Sequence, residues 1–144
     1  MFDKLNYIEL SGKKYALKCD MLVLEKIQEK YEDLIKYENK LSGFVPGIDE
    51  NGEYTRNEEG KLVGTYEEPN IRVLNDSLCW MVQEGLDIER EEGKEVEEIS
   101  DKNLLRMVDL TPRELSKILH NEFFRCFERK NGKTTQREKE KKTQ

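Results

Sequence analysis

What this chain lacks narrows its chemistry before any motif is read. It has only three cysteines, Cys19, Cys79 and Cys126, widely spaced and without a C-x-x-C pair, which excludes a disulfide framework and a cysteine zinc site and predicts reduced, mostly buried thiols. His120 is the single histidine, and no serine, cysteine or carboxylate near it in sequence forms a nucleophile signature. G-x-G-x-x-G, P-loop and G-x-S-x-G patterns are absent, so the residues predict a protein that is not an enzyme and binds no cofactor. No apolar run approaches the roughly 20 residues that cross a bilayer. The opening Met1-Phe2-Asp3-Lys4 has no charged-then-apolar leader pattern, and the expectation is a soluble chain in the cytoplasm, with no membrane partner. Calcium was a candidate because of the acidic loops, but the position five residues before Gly52 is Gly47 and that before Gly93 is Ile88; neither is a ligand, so no metal site is predicted.

Apolar residues are also scarce. They make up 35% of 144 residues while 39% are charged, so part of the chain must be solvated and not core. The net charge of −6 is unevenly distributed: Arg129 to Gln144 carries seven basic and two acidic residues, a balance of +5, which leaves −11 on the rest. An acidic body repels phosphates and the basic end has no interleaved aromatics, so no nucleic-acid partner is expected. The domain reading is a single unit over 1–130 and a disordered basic tail over 131–144. The alternative for the tail is an arm that docks on an acidic partner or a neighbouring copy.

What is present begins with two alternating segments. Leu5, Tyr7 and Glu9 fall on one face and Asn6, Ile8 and Leu10 on the other; Ser11-Gly12-Lys13 turns the chain; Tyr15, Leu17 and Cys19 then oppose Ala16 and Lys18. This predicts a β-hairpin over 4–19. Asp20 caps one long helix whose stripe is Leu24, Ile27, Tyr31, Leu34 and Leu41, interrupted by Glu38, and Ser42-Gly43 stops it. A hairpin cannot stand alone, so it packs on this helix or on a partner.

An irregular insertion occupies 43–68, with a type I′ turn expected at Asn51-Gly52 and another turn at Glu59-Gly60-Lys61. Such a long excursion is either a partner-binding arm or a variable surface insertion. A second helix starts near Pro69-Asn70, carries Ile71, Leu74, Leu78 and Met81, and is expected to end at Gly85. The nine acids between Glu84 and Asp101 read as a solvated connector. Ser100 caps a short helix to Val108, and Thr111-Pro112-Arg113-Glu114 is a capping box that opens a last helix reaching about Arg129. The fold class is therefore α+β and mostly helical: an N-terminal hairpin on about four helices.

Leu10-Ser11-Gly12-Lys13-Lys14-Tyr15-Ala16-Leu17-Lys18-Cys19-Asp20, followed by Leu24-Glu25-Lys26-Ile27-Gln28 and, further on, by Ile71-Arg72-Val73-Leu74 and the stretch from Leu104 to Phe127, resembles the tail assembly chaperones of long-tailed phages and prophages of Gram-positive bacteria. The resemblance implies a non-enzymatic protein that binds the tape measure protein, with the tail tube protein as a further partner, and keeps it soluble before the tube polymerises around it. It implies action in the host cytoplasm, absence from the mature virion and self-association in some members. Many members have a second, frameshifted form; the Lys139-Glu140-Lys141-Lys142 ending is compatible with slippery codons.

Candidate partner-binding residues are those of the apolar stripes: Leu24, Ile27, Tyr31 and Leu34 in the first helix, Trp80 in the second, and Phe123 and Phe127 in the last. Each has the competing reading of a core residue. Two other function classes stand beside the chaperone: a structural virion or tail accessory component, and a general acidic protein-interaction module.

Overall fold

The computed structural model describes residues 4–128, so the basic tail lies outside the described residues. The fold is α+β, with five helices, 49% helix and two small antiparallel strand pairs. Strands β1 (Asn6–Leu10) and β2 (Lys13–Leu17) pair with Ile8 opposite Tyr15 and Leu10 opposite Lys13. Ser11 (φ 51°) and Gly12 (φ 81°) both lie in the left-handed region, the signature of a type I′ turn, whose twist matches the strands it joins. Alternation puts Ile8, Leu10, Tyr15 and Leu17 into the main core, as the sequence pattern predicts. Leu5 and Ala16 are buried as well, in a small separate cluster with Ile88.

The expected long first helix is two helices, α1 (Met21–Tyr31) and α2 (Leu34–Ser42). Glu32 breaks them apart. Its φ of 67° and ψ of −41°, with the Asp33 N–H donating to the Tyr31 carbonyl at 2.7 Å, form the uncommon and strained γ-turn. Asp33 then caps α2, its carboxylate accepting from the N–H groups of Ile35 and Lys36. The break redirects the chain so that Ile27 of α1 and Tyr37 and Leu41 of α2 all reach the core fully buried. One straight helix could not have presented Tyr37 on the Leu24–Ile27 stripe.

Helix α2 ends at Gly43, where a Cβ would lie 2.1 Å from the Glu67 carbonyl oxygen. The insertion that follows is ordered by backbone bonds. Strands β3 (Phe44–Pro46) and β4 (Gly64–Tyr66) form its stem. Above the stem, Gly47 donates to Val63, Val63 to Thr55 and Thr55 to Gly47, a closed ring of three hydrogen bonds from which two small loops project. The loops are copies of one design. Asp49 and Asn57 each accept two N–H bonds on their side chains, and Gly52 and Gly60 supply the positive φ. Asn51 has no positive φ, so the type I′ turn expected there is a type I turn closed by a left-handed glycine.

Helix α3 (Ile71–Glu91) is the central element and buries ten of its residues. It runs through Gly85 instead of ending there, so the acids from Glu84 to Glu91 are helical and the true connector is 92–100. Gly85 is required by a close approach: a Cβ would lie 2.7 Å from the Ala16 carbonyl. Beside it the Lys18 N–H donates to the Met81 carbonyl at 2.9 Å, docking the strand's end directly on helix backbone. Helices α4 (Asp101–Arg106) and α5 (Pro112–Arg125) complete the core, with the Thr111–Glu114 capping box present in full. Both end earlier than the sequence pattern predicts.

Candidate protein-docking face

Helices α2 and α5 pack antiparallel. Ser116 Oγ donates to the Leu41 carbonyl at 2.6 Å, the His120 ring and Glu38 carboxylate meet at 2.8 Å, and the rings of Tyr37 and Phe123 lie 5.1 Å apart. Each step forward along α5 is thus a step back along α2. On the outer side of this seam the β3–β4 stem stands off the helices and leaves an open groove of about 680 Å³. Its walls carry Glu38 and Asn39 from α2, Lys117 and His120 from α5, Tyr66 from the stem and Leu62 from the loop above it.

The groove's two helical walls continue beyond its polar part. Ile35 lies one turn before Glu38 and Asn39, and Phe124 one turn after His120 and Asn121, so the antiparallel register brings them to the same level. Both are solvent-exposed, Ile35 at 64% and Phe124 at 55%, and Phe127 follows at 59%. The rings of His120 and Phe124 are 4.9 Å apart, and those of Phe123 and Phe127 are 5.2 Å apart. Phe124 thus lies against the half-buried His120 and Phe127 against the buried Phe123. The result is a partly polar groove with exposed apolar side chains on the helices that wall it.

His120 has the Glu38 carboxylate on Nε2 and rings of Phe123 and Phe124 around it, and the Ser116 hydroxyl in the same wall is already donated to a backbone carbonyl. No hydroxyl or thiol is placed against this histidine among the contacts of the described residues. The thiols sit elsewhere: Cys19 and Cys79 are buried and Cys126 half-buried, all free. The hydrogen bond to Cys126 and its own burial hold the Cys19 thiol far above the usual range, in its unreactive form. Among the described residues no cluster of three or more His, Cys, Asp or Glu could hold a metal ion, and no helix is long and apolar enough to cross a membrane.

The partner-binding residues expected from sequence divide sharply. Leu24, Ile27 and Phe123 are 8%, 0% and 2% exposed, so in this fold they are core and not a docking surface. The stripes of the first and last helices suggest them because periodicity marks an apolar face without saying what covers it. Tyr31, Leu34 and Trp80 are half-buried against that core, with Tyr31 donating to Asp76 at 2.6 Å and meeting the Trp80 ring edge-on. Phe127 alone of the seven is exposed. Ile35 and Phe124, which sequence reasoning did not select, are exposed like it. The missed signal for Phe124 is its place beside Phe123: two adjacent phenylalanines on a helix face 100° apart, and only one fits the core.

Comparison with protein-family models, with curated proteins and with solved structures finds no match to this chain.

Proposed function

We propose that this chain is a non-enzymatic tail assembly chaperone of a long-tailed phage or prophage, acting in the host cytoplasm, that holds the tape measure protein soluble until the tail tube forms around it. The hairpin-and-helix opening that resembles those chaperones supports the family side of this reading. The observation that carries the binding side is the exposure of Phe124, stacked beside the groove-lining His120, together with exposed Phe127 and, on the facing helix, exposed Ile35. A long helical client presents apolar residues at i, i+4 and i+7, and exposed apolar side chains along two packed helices are the physical complement of such a stripe. Each contact of this size is weak, and repetition along an extended client supplies the avidity. An excess of acidic charge on the chaperone keeps the loaded complex dissolved.

The test pairs genetics with solubility. The DNA following this gene is read for a long helical reading frame, which is then co-expressed with the wild-type chain and with a Phe124→Asp, Phe127→Asp double variant. The client stays soluble with the wild type and precipitates with the variant, while both chains melt at similar temperatures. A client equally soluble with the folded variant, or equally soluble alone, removes the chaperone reading.

A further inference from the structure

The cysteines stand far apart in sequence, at 19, 79 and 126, yet the fold brings two of them together. Cys19 follows β2, and its backbone N–H donates to the Glu122 carboxylate on α5 at 3.0 Å. Cys126 lies one turn after Glu122, and its φ of −60° and ψ of −24° keep it in helical register, so it shares the face that Glu122 turns toward the hairpin. Both cysteines pack on the main core, Cys19 buried within it and Cys126 half-buried at its margin, and their thiols are hydrogen-bond partners. Cys79 is engaged elsewhere, with the Asp101 carbonyl 3.9 Å from its sulfur. The turn that carries Cys126 is loosely held: the N–H groups of Cys126, Phe127 and Glu128 bond only three residues back, to Phe123, Phe124 and Arg125. Such a helix end yields more readily than a helix interior to the small shift that a sulfur–sulfur bond requires.

We propose that Cys19 and Cys126 are an oxidative modification site, held as a dithiol in the resting chain and converted to one intramolecular disulfide by a hydroperoxide. Cys126 is the accessible member, so the peroxide acts there: its O–O bond breaks, Cys126 becomes a sulfenic acid and water leaves. The Cys19 sulfur then attacks the Cys126 sulfur; the S–S bond forms, the S–O bond breaks, and the Cys19 proton departs with the hydroxyl as a second water. Two electrons pass from the thiols to the peroxide. In the resting chain the hydrogen bond to Cys126 and burial keep Cys19 protonated. Oxidation of Cys126 removes the first of these, and the attack is intramolecular between neighbours. The product turns the contact that Glu122 makes between hairpin and α5 into a covalent link, and it fixes the turn from which exposed Phe127 projects.

The full chain, reduced and freed of reductant, is treated with hydrogen peroxide and mapped by mass spectrometry without reduction. The expected product is a monomer lighter by two hydrogens, with the Cys19 and Cys126 peptides joined and Cys79 still open to alkylation after unfolding. Its melting temperature should rise by about 5 °C or more, because the link closes a long loop in the unfolded chain, and dithiothreitol should reverse both changes. Cys126→Ser should abolish the crosslink and the shift, whereas Cys79→Ala keeps both. In urea the same oxidation is expected to give mixed pairs, so selectivity for Cys19 with Cys126 reports the fold. Cys126 advancing to sulfinic acid without a crosslink, disulfides through Cys79 in equal yield, or chains joined to one another would overturn the proposal. Three free thiols after treatment, or a crosslink that lowers the melting temperature, would do the same.

Discussion

The Glu122 carboxylate, in the last helix, accepts the backbone N–H of Cys19 at the end of the hairpin at 3.0 Å, across 103 residues of chain. Its other oxygen accepts from the Asn6 side-chain amide at 2.8 Å, and Arg125 lies 3.6 Å away. One 3%-exposed acid therefore joins both strands of the hairpin to α5. Truncating it strands the buried Cys19 N–H and the half-buried Asn6 amide. Glu122→Ala is expected to cost about 2–4 kcal/mol and Glu122→Gln less, since the amide oxygen still accepts one bond. Urea unfolding measures this; a loss below about 1 kcal/mol for the alanine variant would show that the clamp is dispensable.

Gly85 yields a prediction opposite to helix propensity. Alanine is the better helix former by about 1 kcal/mol, yet its Cβ would meet the Ala16 backbone at 2.7 Å. Relief requires moving the strand that Lys18 ties to Met81. Gly85→Ala should therefore destabilise by about 1–3 kcal/mol, read from the shift in urea midpoint. Any gain in stability would mean that the hairpin is free to retreat from α3.

At Glu32 the sign reverses. Its γ-turn geometry is strained for any residue with a side chain, and glycine adopts positive φ without that cost. Glu32→Gly should raise stability by up to about 1 kcal/mol even though it adds freedom to the unfolded chain. A clear loss would assign the break between α1 and α2 to a contact of the Glu32 side chain instead of to the backbone.

Glu84 makes stability depend on pH. Burial pushes its carboxyl up to about 8, and the hydrogen bond to Asp20 and the charges of Asp20, Asp87 and Glu91 act in the same direction. The folded chain thus keeps a proton that the unfolded chain releases in the ordinary carboxylate range. This contribution is full below that range and is lost as pH rises through about 8. Glu84→Gln keeps an N–H donor toward Asp20 and has no proton to lose. Melting curves at pH 5, 7 and 9 should show the wild type falling relative to Glu84→Gln as pH rises; parallel profiles would rule out the pairing.

Local chemistry was legible from sequence wherever a residue acts on its own neighbours. Asp20, Ser100 and Thr111 cap helices where the sequence places them, since a cap bonds to amides two or three residues away, while Asn70 caps α3 and leaves Pro69, expected in the first turn, outside the helix. The hairpin's inner face followed from strand alternation, and the α+β class from the order of these signals. Tertiary structure decided the rest, because it depends on what approaches from afar. Gly85 reads in sequence as a helix end, and only the approach of Ala16 explains it; the role of Glu122 appears only where Cys19 and Asn6 close on it. Periodicity named the apolar stripes of the first and last helices alike. The packing of α2 against α5 buried Phe123 and left Phe124, Phe127 and Ile35 in water, because two antiparallel helices cover only the faces they turn toward each other.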